Sequence, residues 1–234
     1  MSARLPETRD TLVAALASDE EADRGRALDL ICRVYRAPVA ALLALRWHLE
    51  PEDAEDLTQD FLASAVEKGW FRRYDPVRGR FRPCLRGCLD EFVRSARRDA
   101  RRLKRGGAVE HLSLDEVEPL LGAPDEIERH FEREWARSVL AIAVERLREE
   151  CLTEGKDVAW RLYARYDLTD LPDAERPTYA SLAAEYGEPV TQVTNHLAWA
   201  RRRMREHVLA TLRLLTGGEA EYRDEVRALT GEAP

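Results

Sequence analysis

The sequence predicts an all-α protein of two helical domains joined by a flexible acidic linker. Three observations predict it. Apolar residues recur at helical spacing through most of the chain, and strand-like alternation is nearly absent. Two such helical stretches are separated at 106–128 by a polar, acidic segment carrying Pro119, Gly122 and Pro124. The 234 residues are 44% apolar, enough to bury real cores and to argue against wholesale disorder.

The elements follow in order. Residues 1–24 form an N-terminal segment, and 25–105 the first domain. Asp29–Trp47 reads as a hairpin-like apolar stretch, with Pro38 at the start of its second helix. Pro51-Glu-Asp-Ala-Glu-Asp opens the next helix, its acids placed where a helix N-terminus favours negative charge. There Ala54, Leu57, Phe61 and Ala65 recur on an inward face, leaving Glu52, Asp56, Gln59 and Ala63 outward, flanked by Asp60. Gly69 stops this helix, and an aromatic connection with Trp70, Phe71 and Tyr74 follows. A long basic helix runs from about Phe81 to about Arg102, with Leu85, Cys88, Leu89, Phe92 and Ala96 as its apolar stripe. Gly106-Gly107 ends it.

Beyond the 106–128 linker, the second domain is read as 129–216 and a C-terminal extension as 217–234. Helices resume near Glu128, with Phe131, Trp135, Val139 and Ile142 on one face, and another spans roughly Lys156–Tyr166. The sharpest local pattern lies at 178–208. Tyr179, Leu182, Ala183 and Tyr186 form an apolar face, Gly187 ends that helix, and Glu188-Pro189 opens a second that buries Val190, Val193, Leu197, Ala200 and Met204. Two amphipathic helices joined by a short Gly-containing turn fit a helix-turn-helix. At 3.6 residues per turn, Thr191, Asn195, Trp199 and Arg202 fall opposite the buried face, flanked by Gln192 and Arg203. Asn and Gln pair adenine edges bidentately, whereas arginines contact phosphates, which position without specifying. The extension after Gly217-Gly218 has the spacing of a small amphipathic helix through Tyr222, Val226 and Leu229.

The net charge of -7 taken alone counts against a nucleic-acid binder, but charge is not evenly mixed. Residues 50–67 carry seven acids and no Lys or Arg, whereas residues 72–105 carry thirteen Lys or Arg against four acids. Residues 106–150 are acidic again, and 191–208 carry four arginines against Glu206. A basic block supplies phosphate affinity whatever the total charge.

Other classes find no support. No stretch approaches a membrane span, and the start MSARLPETRD has no apolar signal-peptide core, so a cytoplasmic protein with no membrane partner is expected. Cys32, Cys84, Cys88 and Cys151 are too sparse for a disulfide scaffold and form no Cys-x-x-Cys pair. The histidines show no ligand spacing, and no phosphate loop or nucleophile motif appears. The Glu52–Asp60 acids spread around a helix, unlike a nuclease metal site. No enzyme, metal or cofactor is expected.

The ordered set of acidic helix, aromatic connection, basic helix, acidic linker and helix-turn-helix resembles a sigma-70 family RNA polymerase sigma factor of the extracytoplasmic-function type. "PEDAEDLTQDFLASAVEKGWFRRYDPVRGRFRPCLRGCLDEFVRSARRDARR" is similar to the family's second conserved region, and "TYASLAAEYGEPVTQVTNHLAWARRRMREHV" to its fourth. "PEDAEDLTQ" followed at this distance by "GRFR" is the specific combination. The resemblance implies a non-enzymatic protein that binds core RNA polymerase, directs it to promoter DNA and helps open the duplex. It places Glu52, Asp53, Asp56, Gln59 and Asp60 on the polymerase's large-subunit coiled coil. It places Arg80, Arg82, Arg86, Asp90, Arg94, Arg97 and Arg98 at the minus-ten element, where Cys84, Gly87 and Cys88 depart from bulkier family residues. Thr191, Gln192, Asn195, Trp199, Arg202 and Arg203 fall at the minus-thirty-five element. The family commonly has basic side chains at the positions of Thr194, His196 and Trp199. Their absence here implies weaker upstream binding with a shallower salt dependence. Segments such as "KRGGAVEHLSLDE" and "YRDEVRAL" are similar to a subgroup often found beside serine/threonine kinases, so a kinase or an anti-sigma factor joins the candidate partners. The alternative is a helix-turn-helix regulator that binds DNA without being a polymerase subunit, which leaves the acidic helix and the basic helix unexplained.

Overall fold

The computed structural model describes residues 15–16, 18–75, 77–105, 124–172 and 175–231, with side chains except at 73, 99–105 and 124. Among these, the secondary structure is helical throughout: α1 (Glu21–Trp47), α2 (Pro51–Glu67), a 3-10 turn (Phe71–Arg73), α3 (Phe81–Arg105), α4 (Pro124–Thr153), α5 (Asp157–Asp167), α6 (Tyr179–Tyr186), α7 (Val190–Leu215) and α8 (Glu219–Thr230). The all-α class is therefore as the sequence predicts. The chain divides into two compact units, one of Met1–Ser138 with Leu212–Pro234 and one of Val139–Thr211. The division falls inside α4 and inside α7, whereas the sequence reading puts boundaries at 128 and 216. Most of the expected N-terminal segment and the linker through 123 lie outside the described residues, as do Gly106-Gly107; Pro124–Glu128 is the first turn of α4.

The first unit is built on α1. Asp29–Trp47 is not a hairpin: one helix of 27 residues runs through Pro38, which is buried inside it. Proline removes an N–H and crowds the preceding turn, at about 3 kcal/mol. Ile31, Val34, Tyr35, Val39, Leu42 and Leu43 continue one buried stripe across it, and burying even two such side chains offsets that cost. α2 starts with Pro51 at its first position and buries Ala54, Leu57, Thr58, Phe61, Leu62 and Ala65, the predicted face with two additions. The Thr58 hydroxyl donates to the Ala54 carbonyl at 2.7 Å, so its burial leaves no orphaned donor. Gly69 takes the left-handed conformation (φ 63°), and the Trp70 N–H returns to the Ala65 carbonyl at 2.9 Å.

That turn fixes the aromatic connection. Phe81, at the start of α3, packs its ring 5.2–5.7 Å from those of Tyr74, Tyr35 and Phe71. Phe61 lies 5.6 Å from Phe92 and 6.1 Å from Trp70. α3 buries Phe81, Leu85, Leu89 and Val93, while Cys88, Phe92 and Ala96 are half-buried. Phe131 and Trp135 of α4 and Tyr222 and Val226 of α8 complete this core.

The second unit packs Val139, Ile142, Ala143, Leu147 and Cys151 of α4 with Ala159, Leu162 and Tyr163 of α5, Leu182 of α6, and Val193, Leu197, Ala200, Met204 and Val208 of α7. Val190 departs from the sequence reading and is 46% exposed, because it stands in the first turn of α7, before the buried stripe begins. Phe61→Ala, which empties the site where α2, the connection and α3 meet, is expected to cost about 3–5 kcal/mol of stability, read by urea denaturation.

Candidate nucleic-acid and partner interfaces

On α2, Glu52, Asp56, Gln59, Ala63 and Asp60 are exposed as predicted, and Asp53 is half-buried. Among the described residues, Glu52, Asp56, Gln59 and Asp60 make no side-chain ion pair or hydrogen bond. A helix N-terminus explains Glu52 and Asp53, but its field fades within the first turn. Asp56 and Asp60 lie beyond it.

The arginines of α3 divide into two groups. Arg94 and Arg98 are exposed, leaning on Glu91 at 3.5 and 3.4 Å in solvated pairs of small energetic weight. Arg97 is half-buried and stacks on the Trp47 ring at 4.3 Å, and Asp90 is tied to Arg46 at 2.8 Å. The arginines around the start of α3 are engaged by carboxylates. Arg82, 9% exposed, binds Glu132 and Glu225 and lies 4.2 Å over the Trp135 ring. Arg86 pairs with Glu128 and, at 3.1 Å, with Glu132, and covers the Phe131 ring at 4.4 Å. Arg80 pairs with Asp224. Arg80, Arg82 and Arg86, expected at the minus-ten element, are all paired within the chain in this conformation. Acids of α4 and α8, distant in sequence, occupy them.

Sequence reasoning missed Glu225, which is 2% exposed. A signal was present: Tyr222, Glu225, Val226 and Leu229 share one helical stripe, and a carboxylate on an apolar stripe requires a buried cation. Glu221 of the same helix accepts from the Gly217 N–H at 2.7 Å, from the Tyr74 hydroxyl at 3.3 Å and from the Phe81 N–H at 3.3 Å. Between Cys84 and Cys88 a thiol hydrogen bond outweighs burial and brings Cys84 down to about 7.

In the second unit, the Thr178 hydroxyl caps α6 by accepting from the Ser181 N–H at 3.1 Å. Gly187 turns left-handed (φ 68°), as a two-helix turn requires, and Gln192 and Val193 return their N–H groups to Pro189. Thr191, Gln192, Asn195 and Arg202 are exposed together on α7. Two of the expected residues are engaged within the fold. Trp199 is half-buried, with Lys156 4.0 Å over its ring, because its position borders the Ala200 side of the helix. Arg203 is held by Glu150 at 2.6 Å and by Glu206. Arg201, a further member of the run, binds Asp167 at 3.0 Å and the Tyr179 hydroxyl at 3.2 Å.

Glu150 also meets His207 at 2.7 Å. Burial pushes its carboxyl up, but the hydrogen bonds from Arg203 and His207 outweigh this and hold it below the usual carboxylate range. The same bond holds Arg203 above its ordinary value.

Among the described residues, no group of three or more His, Cys, Asp or Glu side chains is arranged to hold a metal, and no helix is long and apolar enough to cross a membrane. No family model, no curated protein and no solved structure matches this chain.

A depressed Glu150 contributes stability that is present above the unfolded carboxylate value and lost as pH falls through the lower folded value. Glu150→Gln is therefore expected to destabilise the chain by about 1–2 kcal/mol at pH 7. The difference from the parent should shrink below about pH 4, the unperturbed carboxylate range, checked by thermal unfolding across pH.

Proposed function

We propose that the chain is a sigma factor of the extracytoplasmic-function type, a cytoplasmic, non-enzymatic subunit that docks on core RNA polymerase, directs it to a promoter class and assists DNA opening. The observation that carries this reading is the α2 face. Asp56, Gln59 and Asp60 are exposed, lack partners among the described residues and lie past the reach of the helix N-terminus, so they have no evident use inside the fold. A basic protein surface, such as the resemblance implies on the polymerase coiled coil, supplies that use.

The rest of the assignment follows from chemistry. Opening DNA costs roughly 1.4 kcal/mol per base step. Exposed cations at Arg94 and Arg98 offset part of that by binding the phosphates of a displaced strand. Thr191, Gln192 and Asn195, exposed at the start of a helix that follows a helix-turn, suit base edges of an upstream element. On the alternative reading, a regulator acting without polymerase, the α2 face remains idle.

The purified chain with core polymerase is expected to start run-off transcription at one class of promoter; failure to bind core polymerase at low salt overturns the proposal. Asp56→Arg with Asp60→Arg should abolish core binding and leave the helical content unchanged by circular dichroism. Arg94→Glu with Arg98→Glu should impair promoter opening, read by permanganate footprinting, with core binding intact. Asn195→Ala should cost about 1–3 kcal/mol of discrimination at one upstream base, read by competition binding of the polymerase complex.

A further inference from the structure

The start of α3 carries the cations Arg80, just before the helix, and Arg82 and Arg86 in its first two turns, and carboxylates of this same chain cover all three. α8 supplies Asp224 to Arg80 and Glu225 to Arg82, while α4 supplies Glu132 to Arg82 and Arg86 and Glu128 to Arg86. Glu225 also reaches Arg80 at 3.9 Å. The side chains of α8 therefore set anions along a short cationic row, the arrangement that a polynucleotide's phosphates would otherwise adopt.

We infer that α8 is a built-in competitor for single-stranded DNA at the start of α3, and that strand binding there requires α8 to leave. This rests on the proposed DNA-facing role of α3, and goes beyond it by assigning a role to the C-terminal helix.

Three properties of α8 fit a displaceable cover. It has 12 residues, a length at which an isolated helix is marginal in water. It is joined to α7 through Gly217-Gly218, a short connection rich in backbone freedom. Its strongest tether, Arg82 with Glu225, is a buried ion pair, in which desolvation cancels much of the attraction. A phosphate that takes the place of the carboxylate leaves Arg82 compensated and returns Glu225 to water, so exchange avoids the cost of a bare buried charge. Tyr222, with Arg213 3.7 Å over its ring, and Val226 anchor the helix when DNA is absent.

The test uses the full-length chain and a fluorescent single-stranded DNA oligonucleotide of mixed sequence, with affinity read by anisotropy across salt concentrations. A variant with Glu221→Gln, Asp224→Asn and Glu225→Gln is expected to bind about tenfold more tightly at low salt. Its log–log salt slope should steepen by about 1.4, as Arg80 and Arg82 lose their α8 partners and become available to phosphates. An unchanged affinity and slope in a variant that keeps its helical circular dichroism overturns the inference.

Hydrogen exchange on the unmodified chain gives a second reading without a variant. Adding the oligonucleotide should strip protection from the amides of residues 219–230, and retained protection at saturating oligonucleotide overturns the inference. Core-polymerase binding is measured in parallel. Its absence with α8 still displaced by DNA sinks the sigma-factor reading and leaves the competition intact; core binding with α8 unmoved by DNA does the reverse.

Discussion

The first unit depends on one buried guanidinium. Arg82 stands on the second residue of α3 and binds carboxylates 50 and 143 residues further along the chain. A charge removed from water is tolerated only when it is fully matched, and losing one partner of such a pair is far more costly than losing a surface contact. Arg82 therefore commits three segments to one arrangement. The α3 turn must be formed, Glu132 must face it from α4, and α8 must return to deliver Glu225. Trp135 closes the site with its ring face, which attracts the cation and excludes water. Together with the burial of Phe131, Trp135, Tyr222 and Val226, this pairing ties 124–138 and 212–231 to the same unit as α1–α3.

This constraint sorts the chain's acids into two kinds. Glu128, Glu132, Asp224 and Glu225 neutralise arginines within the unit, whereas Glu52, Asp56 and Asp60 face solvent on α2. The net charge of -7 merges the two kinds. Once the internal pairs are set aside, what faces outward on α2 is negative, and among the α3 residues whose side chains are described the exposed arginines are Arg94 and Arg98. A free chain of this kind is repelled by random duplex DNA at long range. On the proposed reading, DNA contact then awaits the polymerase, which supplies its own basic surfaces.

What was legible in the sequence is what a helix writes locally. Ala54, Leu57, Phe61 and Ala65 repeat at the spacing that faces one side, and Gly69 and Gly187 occupy left-handed positions that few other residues accept, so α2, α6 and their ends could be read directly. Pro38 misled because its local cost is real but smaller than the burial on either side of it. Val190 and Trp199 misled because a projected helix face has no knowledge of where the neighbouring helices end. The pairing of Arg80, Arg82 and Arg86 left no local pattern at all. An arginine awaiting a phosphate and one awaiting a distant glutamate have the same sequence neighbours, and only the carboxylate at 225 on an apolar stripe carried a trace of the answer.

The second unit repeats the lesson at smaller scale and, on the proposed reading, limits what its upstream face can do. Of the arginine run on α7, Arg201 is committed to Asp167 and Arg203 to Glu150, so the run contributes fewer outward cations than its composition implies. Thr191, Gln192 and Asn195 remain exposed at the opposite end of the helix, and these are groups that discriminate bases while adding no Coulombic attraction. A face with readers but few cations gives selectivity with less affinity, because counterion release supplies a large share of the binding free energy to DNA. Such a face is poorly suited to hold an operator alone. On the proposed reading it suits a subunit whose affinity comes from a larger complex and whose own part is to choose the site.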